Sequence, residues 1–266
     1  MRIFDTITFF RENFVTNLRF EILNDVVDFF IVCESTYDHQ GNKKKLNFSL
    51  KNSKFEKKLI YLVMDKPFKK ESNAWRNQAE QREYIFKGLE KASDNDFVMF
   101  SDPDEIPHPE KIKKLSLNEE YGIFMQKCFC YKLNLFNKYE SPWEGTKICR
   151  LKNLKSIDYL RQKIKSKNLK SPFWKFHKNK SIKLIENGGW HFNTLLSPEE
   201  ISIKLKSFAH SEYSKKEFSD ISTIKKNIDE KKDLFQRGWK YEKVQIDNSF
   251  PNYIFNNQLL FKEWII

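Results

Sequence analysis

Apolar and polar positions divide this chain into two unlike halves. Residues 2–10, Val26–Cys33, Lys58–Met64 and Phe97–Ser101 are short apolar runs, the pattern of strands covered on both faces. Between the first two runs, Phe14, Leu18 and Ile22 recur at i, i+4 and i+8, which predicts a helix over Asn13–Asn24. Between the third and fourth, a helix is expected from a cap at Ser72 to about Lys91, with Trp75, Ala79, Phe86 and Leu89 facing inward. Strand and helix alternating in this order predict an α/β fold with a mainly parallel, right-handed sheet.

Beyond about residue 115 the pattern changes. Tyr121–Leu135 and Lys147–Leu151 read as strands joined by polar loops, and Lys152–Lys183 is basic and irregular. Ser197, Pro198, Glu199 and Glu200 are the cap, first position and acidic first turn of a further helix. Another is expected over Lys215–Lys232, and the apolar tail Pro251–Ile266 should dock on the body. With no repeat and no low-complexity linker, the 266 residues predict one domain of two halves, 1–115 and 116–266.

Composition narrows the chemistry. With 25 Phe and 39% hydrophobic residues the chain can build a core. With only 7 Gly it has no glycine-rich phosphate loop, so any phosphate must be held by a metal or by Arg and Lys. A net charge of +12 suits nucleic acid, an anionic membrane or an anionic substrate, although lysines spread through the whole chain are also what codon bias produces. Cys33, Cys128, Cys130 and Cys149 form no Cys-x-x-Cys pair, and buried free thiols in a reducing compartment are expected. No apolar run is long enough to span a bilayer and no signal-peptide core is visible. The expectation is a cytoplasmic protein, peripheral to the inner membrane face, with Lys152–Lys183 as the contact to anionic lipid or an anionic acceptor.

The candidate chemistry begins where the fourth apolar run stops. Phe97-Val98-Met99-Phe100 is followed by Asp102, Asp104 and Glu105. Ligands of open α/β sheets bind beyond the carboxyl ends of strands. Two aspartates one residue apart there can hold a hard divalent cation, which leaves its other positions to water and substrate phosphates; an acidic turn is the alternative. Asn187-Gly188-Gly189-Trp190-His191-Phe192 is a second candidate, with His191 as a nitrogen ligand to the same ion, or else a turn with a satisfied histidine. Arg82, seven residues after Trp75, is either a phosphate contact or a buried ion pair. Glu12 and Glu34 end the first two strand regions and either line a nucleotide pocket or cap the surface. His210 sits late in the Ser197 helix, where the helix dipole alone favours it.

Together these segments resemble glycosyltransferase family 17. The matching stretches are Phe4–Phe10, Val26–Glu34, the Trp75–Arg82 helix, Ser101–Pro107, Gly188–Phe192 and Lys206–Glu212, in family order. The resemblance implies a GT-A-like sheet and an Asp-x-Asp metal site formed by Asp102, Asp104 and His191, with Mn²⁺ or Mg²⁺ as the ion. It implies a UDP-sugar donor, UDP-N-acetylglucosamine in the first instance, held with the help of Phe9, Glu12, Glu34, Arg82 and Asp102. Residues 1–115 would bind the nucleotide sugar. Residues 116–266 would face a glycan, glycoprotein or lipid-linked acceptor. Asp104 would carry the metal-assisted step, and a carboxylate among Glu186, Glu144 and Glu212 would deprotonate the acceptor, Glu186 first because it adjoins the Gly-Gly-Trp-His segment. Two rival readings are a nucleotidyl or phosphoryl transferase using the same metal pair and a basic nucleic-acid-binding module; scattered lysines and absent RNA motifs speak against the latter.

Overall fold

The computed structural model describes residues 1–69, 72–207 and 211–266; the side chains of Ser211 and Glu212 lie outside the description. In chain order the elements are β1 (Ile3–Phe9), α1 (Asn13–Leu23), β2 (Phe29–Ser35), β3 (Leu59–Met64), α2 (Ala74–Tyr84), β4 (Phe97–Ser101), β5 (Glu105–Pro107) and α3 (Pro109–Lys113). They continue with β6 (Tyr121–Cys130), β7 (Leu135–Phe136), β8 (Trp143–Arg150), α4 (Ile157–Lys163), β9 (Ile182–Asn193), α5 (Pro198–Ser207), α6 (Lys216–Ser219), α7 (Ile221–Asp229), β10 (Glu242–Lys243) and α8 (Asn252–Asn256).

Among the described residues these strands form one mixed sheet in the order β10-β7-β6-β8-β4-β1-β2-β3, with β9 paired to β6 and β5 to β9. The first half is parallel as expected: β1 lies between β2 and β4, with Phe4 opposite both Phe29 and Val98. β8 then enters antiparallel beside β4, and β6 and β9 follow as a parallel pair. The whole of β4 is buried, because the sheet is covered on both sides. Phe97 and Met99 point into one apolar layer, Val98 and Phe100 into the other. A strand buried on both faces needs no polar alternation, hence the unbroken apolar run.

Several expectations change in the structure. Asn73, not Ser72, caps α2 by accepting from the Arg76 amide. Its inward face carries Asn77, Gln81 and Arg82, while Trp75 and Phe86 are exposed. Helical spacing identified a stripe, but a polar one lies against the cleft. The helix expected over Lys215–Lys232 is split, because Asp220 leaves helical geometry and its side chain caps α7 at the Thr223 amide. Gly188-Gly189 is no turn and lies inside β9. There the register with β6 slips between Phe124 and Gln126. Gly189 has φ +133, and a Cβ on it would stand 2.1 Å from the Ile106 carbonyl oxygen, so glycine lets β5 and β9 close on each other.

The four cysteines are free and buried. The tail docks through Ile254 and Phe261, with Trp264 stacked on Phe14 at 4.5 Å. Among the described residues no helix is long and apolar enough to cross a membrane.

Candidate functional site

A cleft of about 480 Å³ opens at the carboxyl ends of β1, β2 and β4. Its walls come from both halves of the chain: Phe9 at the end of β1 and Glu12 after it, Arg82 from α2, Asp102 and Asp104 after β4, His191 from β9 and Lys204 from α5. The core strand β4 ends at Ser101, and the chain turns at once, the Glu105 amide donating to the Asp102 carbonyl at 3.0 Å. This turn aims both aspartates into the cleft and sends β5 back along β9, pairing Glu105 with His191.

Each aspartate meets a cation of the protein itself. Arg161, on α4, donates to the Asp102 carboxylate and to both oxygens of Glu105, at 2.8 and 3.1 Å. Glu105 also accepts from the Trp143 indole at 2.7 Å, so this fully buried carboxylate is a fixed anchor. Lys204 reaches across from α5 to Glu12 at 3.0 Å and Asp104 at 3.8 Å. Nε2 of His191 stands 3.5 Å from the other oxygen of Asp104. Burial works against ionisation of both aspartates. Arg161 and then Arg82 nevertheless hold the Asp102 carboxyl below its ordinary range, and Lys204 and then His191 do the same for Asp104. Cations of the protein itself thus favour the ionised form of both aspartates.

The supports of these groups are equally specific. Nδ1 of His191 faces the Cys128 sulfur at 3.7 Å, and the ring lies 4.9 Å from that of Trp143. Cys128 and Cys130 share a face of β6, and with Glu140 they cluster around the Asn137 amide nitrogen, which donates to all three. Lys147, wholly buried, donates to the Arg161 and Ile164 carbonyls and so holds the end of α4. Burial pushes its ammonium pKa down to about 6, with Lys165 and Arg161 adding to the effect. The Ser197 and Glu200 capping box secures α5 at its start: the Glu200 amide donates to Ser197 Oγ at 3.2 Å and the Ser197 amide to Glu200 at 3.0 Å.

Asp102, Asp104, His191, Arg82, Glu12 and Phe9 thus meet in one cleft. Arg82 does so as an ion pair with Asp158 at 2.8 Å. Three assignments are corrected. Glu34 lies behind the cleft, taken up by Lys44, the Asn47 and Phe48 amides and the Tyr61 hydroxyl, and so clamps the loop after β2. Glu186 is exposed on β9 and does not line the cleft. Glu144 does not line the cleft, because it accepts from the amide and hydroxyl of Ser166. Glu212 and His210 lie outside the described side chains.

Arg161 and Lys204 are the site residues that sequence reasoning missed. The one available signal was their polarity on otherwise amphipathic helices. Asp104 Oδ1 and His191 Nε2 could hold a divalent cation. Adjacent ligands on such an ion, with bonds of about 2.1 Å, stand about 3 Å apart, so small side-chain adjustments would close the 3.5 Å gap. The far nitrogen of the same ring has the Cys128 sulfur as a weak polar partner.

The sequence profile of glycosyltransferase family 17 matches residues 1–239. The β-1,4-mannosyl-glycoprotein 4-β-N-acetylglucosaminyltransferases of Rattus norvegicus and Homo sapiens are each 24% identical over 238 residues, covering 80% of this chain and 44% of the relative. The chain therefore spans less than half the length of these curated relatives. Among solved structures, the glucosyl-3-phosphoglycerate synthase of Mycobacterium tuberculosis in complex with Mg²⁺ and uridine diphosphate aligns with a TM-score of 0.34 and 12% identity, covering 72% of this chain and 70% of that one. A glycosyltransferase involved in glycosylating the major capsid of PBCV-1 gives 0.33 and 11%, covering 70% and 82%. Likeness at this distance transfers no ligand and no residue role.

Proposed function

The chain belongs to glycosyltransferase family 17, and from this premise we propose that it transfers a sugar, N-acetylglucosamine by family kinship, from a uridine-diphosphate donor to a glycan hydroxyl with inversion. The observation that carries the reading is the meeting of Asp102, Asp104 and His191 with Arg161 and Lys204 in one cleft at the carboxyl end of β4. Asp104 and His191 would hold a divalent cation, Mn²⁺ or Mg²⁺, with Asp102 beside them; when bound, that ion supplies a Lewis acid at the diphosphate.

The protein's own groups supply the rest. Tyr37, His39 and Trp75 border the cleft near the ends of β1 and β2, where a nucleoside would lie. His39 is set by a 2.8 Å bond to Gln81, and Asn77 donates to its carbonyl, so this wall is rigid. Lys204 and Arg161 place positive charge where the leaving diphosphate would develop its negative charge, and preorganised cations at such a point lower a barrier. Asp102 and Asp104 each face a cation that holds the carboxyl below its ordinary range. Such carboxylates are weak bases, so they are better suited to binding than to taking the acceptor's proton.

A panel of nucleotide sugars tests the reading. UDP release from one donor, dependent on a divalent cation and on Asp104, supports it, with product anomeric configuration checking inversion. Release of a sugar 1-phosphate from the nucleotide sugar, or of pyrophosphate from a nucleoside triphosphate, would instead identify the nucleotidyl transferase reading.

A further inference from the structure

The segment Lys163–Lys183 contains eight lysines and no carboxylate. At its centre, Phe173, Trp174 and Phe176 are 78%, 61% and 88% exposed. Leu169, just before them, is also exposed. Single exposed apolar residues are ordinary on a soluble protein, but three aromatics within four residues are a patch. Phe173 and Trp174 pack edge-on against each other at 5.1 Å, and that contact leaves both rings mostly in solvent.

The loop is presented rather than loose. Turns from Lys175 to the Pro172 carbonyl, 3.1 Å, and from Lys178 to the Lys175 carbonyl, 2.9 Å, shape its tip. Lys180 donates to the Pro172 carbonyl at 2.8 Å across its base, and Asn179 donates to Glu120. One end leaves the cleft wall at Lys165, and the other enters β9. The aromatic tip is flanked by the exposed ammonium groups of Lys167, Lys170 and Lys175.

We infer that this loop docks the protein on a phospholipid bilayer rich in anionic headgroups, the aromatic rings entering the interface and the lysines pairing with lipid phosphates. Aromatic rings favour the headgroup boundary, and basic residues beside them add electrostatic attraction that neither alone provides. Lysine stems lie along apolar surface while their ammonium groups stay among the headgroups. A nucleic-acid contact needs a basic groove that follows a backbone; here charge and rings project from a protruding turn. The inference does not depend on sugar transfer.

The test is co-sedimentation of the full chain with phosphatidylcholine vesicles, with and without phosphatidylglycerol, at low and high salt. Binding should require phosphatidylglycerol and weaken with salt. Changing Phe173, Trp174 and Phe176 together to Ser should weaken it by about tenfold or more, while the circular dichroism spectrum and melting temperature stay those of the wild type, because the three side chains are mostly in solvent. Changing Lys167, Lys170 and Lys175 to Gln should cost about fivefold each and flatten the salt dependence. The Trp174→Phe variant should lose the vesicle-induced blue shift of tryptophan emission. Absence of binding to anionic vesicles at low salt, undiminished binding by the aromatic variant, or single-stranded RNA displacing vesicles from the same residues would each overturn the inference.

Discussion

Two arginine–carboxylate clusters flank the turn after β4, one sealed and one open. Arg19, on α1, makes a two-point contact with Asp5 of β1 at 2.5 and 2.6 Å, donates to Ser101 Oγ at 2.9 Å and also reaches the Glu105 carbonyl. Both side chains are essentially unexposed, at 0% and 1%. On the cleft side, Arg161 meets Asp102 with the aspartate side chain 34% exposed, and Lys204 bridges Glu12 and Asp104 while itself 23% exposed. A buried charge pair is tolerable only when its donors and acceptors are satisfied by fixed partners, which makes it rigid. A pair open to a cleft keeps capacity for a ligand. The first cluster therefore sets where the turn lies, and the second sets what the turn can bind.

The sharpest way to break this contrast is to cut each cluster once. Arg19→Met strands the Asp5 charge in the core and should cost about 3–5 kcal/mol of unfolding free energy in urea, with the loss much reduced when Asp5→Leu is added. A stable Arg19→Met protein would show that the pair is not the clamp described. Asp104→Asn should do the reverse. Turnover should fall at least about a hundredfold, as when a charge-stabilising group is lost from a transition state, while the melting temperature moves by only a few degrees. Equal loss of stability in both variants would erase the distinction between sealed and open.

Smaller effects sharpen the open side. His191→Gln should weaken Mn²⁺ binding at least tenfold, in order of magnitude, with the circular dichroism spectrum unchanged. Cys128→Ala, which removes only the partner of Nδ1, should weaken it less, by about tenfold at most, and normal affinity there would remove Cys128 from the metal site's support.

The pH dependence follows from the direction of one shift. Burial works against a charged His191, but Asp104 holds its pKa above the ordinary value. In the metal-free protein the charged pair stabilises the fold below the unfolded-state value, and this contribution is lost as pH rises through the raised folded value. A cation needs the neutral ring, so Mn²⁺ affinity should climb through that same raised pKa with one proton released per ion. Titrating affinity against pH in His191→Gln should remove this step; its persistence would assign it to another group.

How far the chain could be read depended on how local each cause was. β1, β2 and β4 announce themselves because strands covered on both faces are mainly apolar, and the half-buried edge strand β3 does so by its apolar run Leu59–Met64. The start of α5 is visible because its capping groups lie within four residues of one another. Asp102, Asp104 and His191 stood out because carboxylates after a buried strand and a histidine beside paired glycines are locally unusual. Glu186 adjoins the paired glycines in sequence but lies where the register of β9 on β6 slips, exposed and outside the cleft. Arg161 and Lys204 left no comparable trace, because a basic residue on a helix looks alike whether it faces water or a carboxylate 59 or 100 residues away. The sequence by itself determined the parallel half of the sheet, the carboxylate turn at its edge and the family to which the chain belongs. The tertiary structure alone decided which cations answer those carboxylates, which glutamates stay outside the cleft and which aromatic residues remain in solvent, because each depends on contacts between segments that no local pattern encodes.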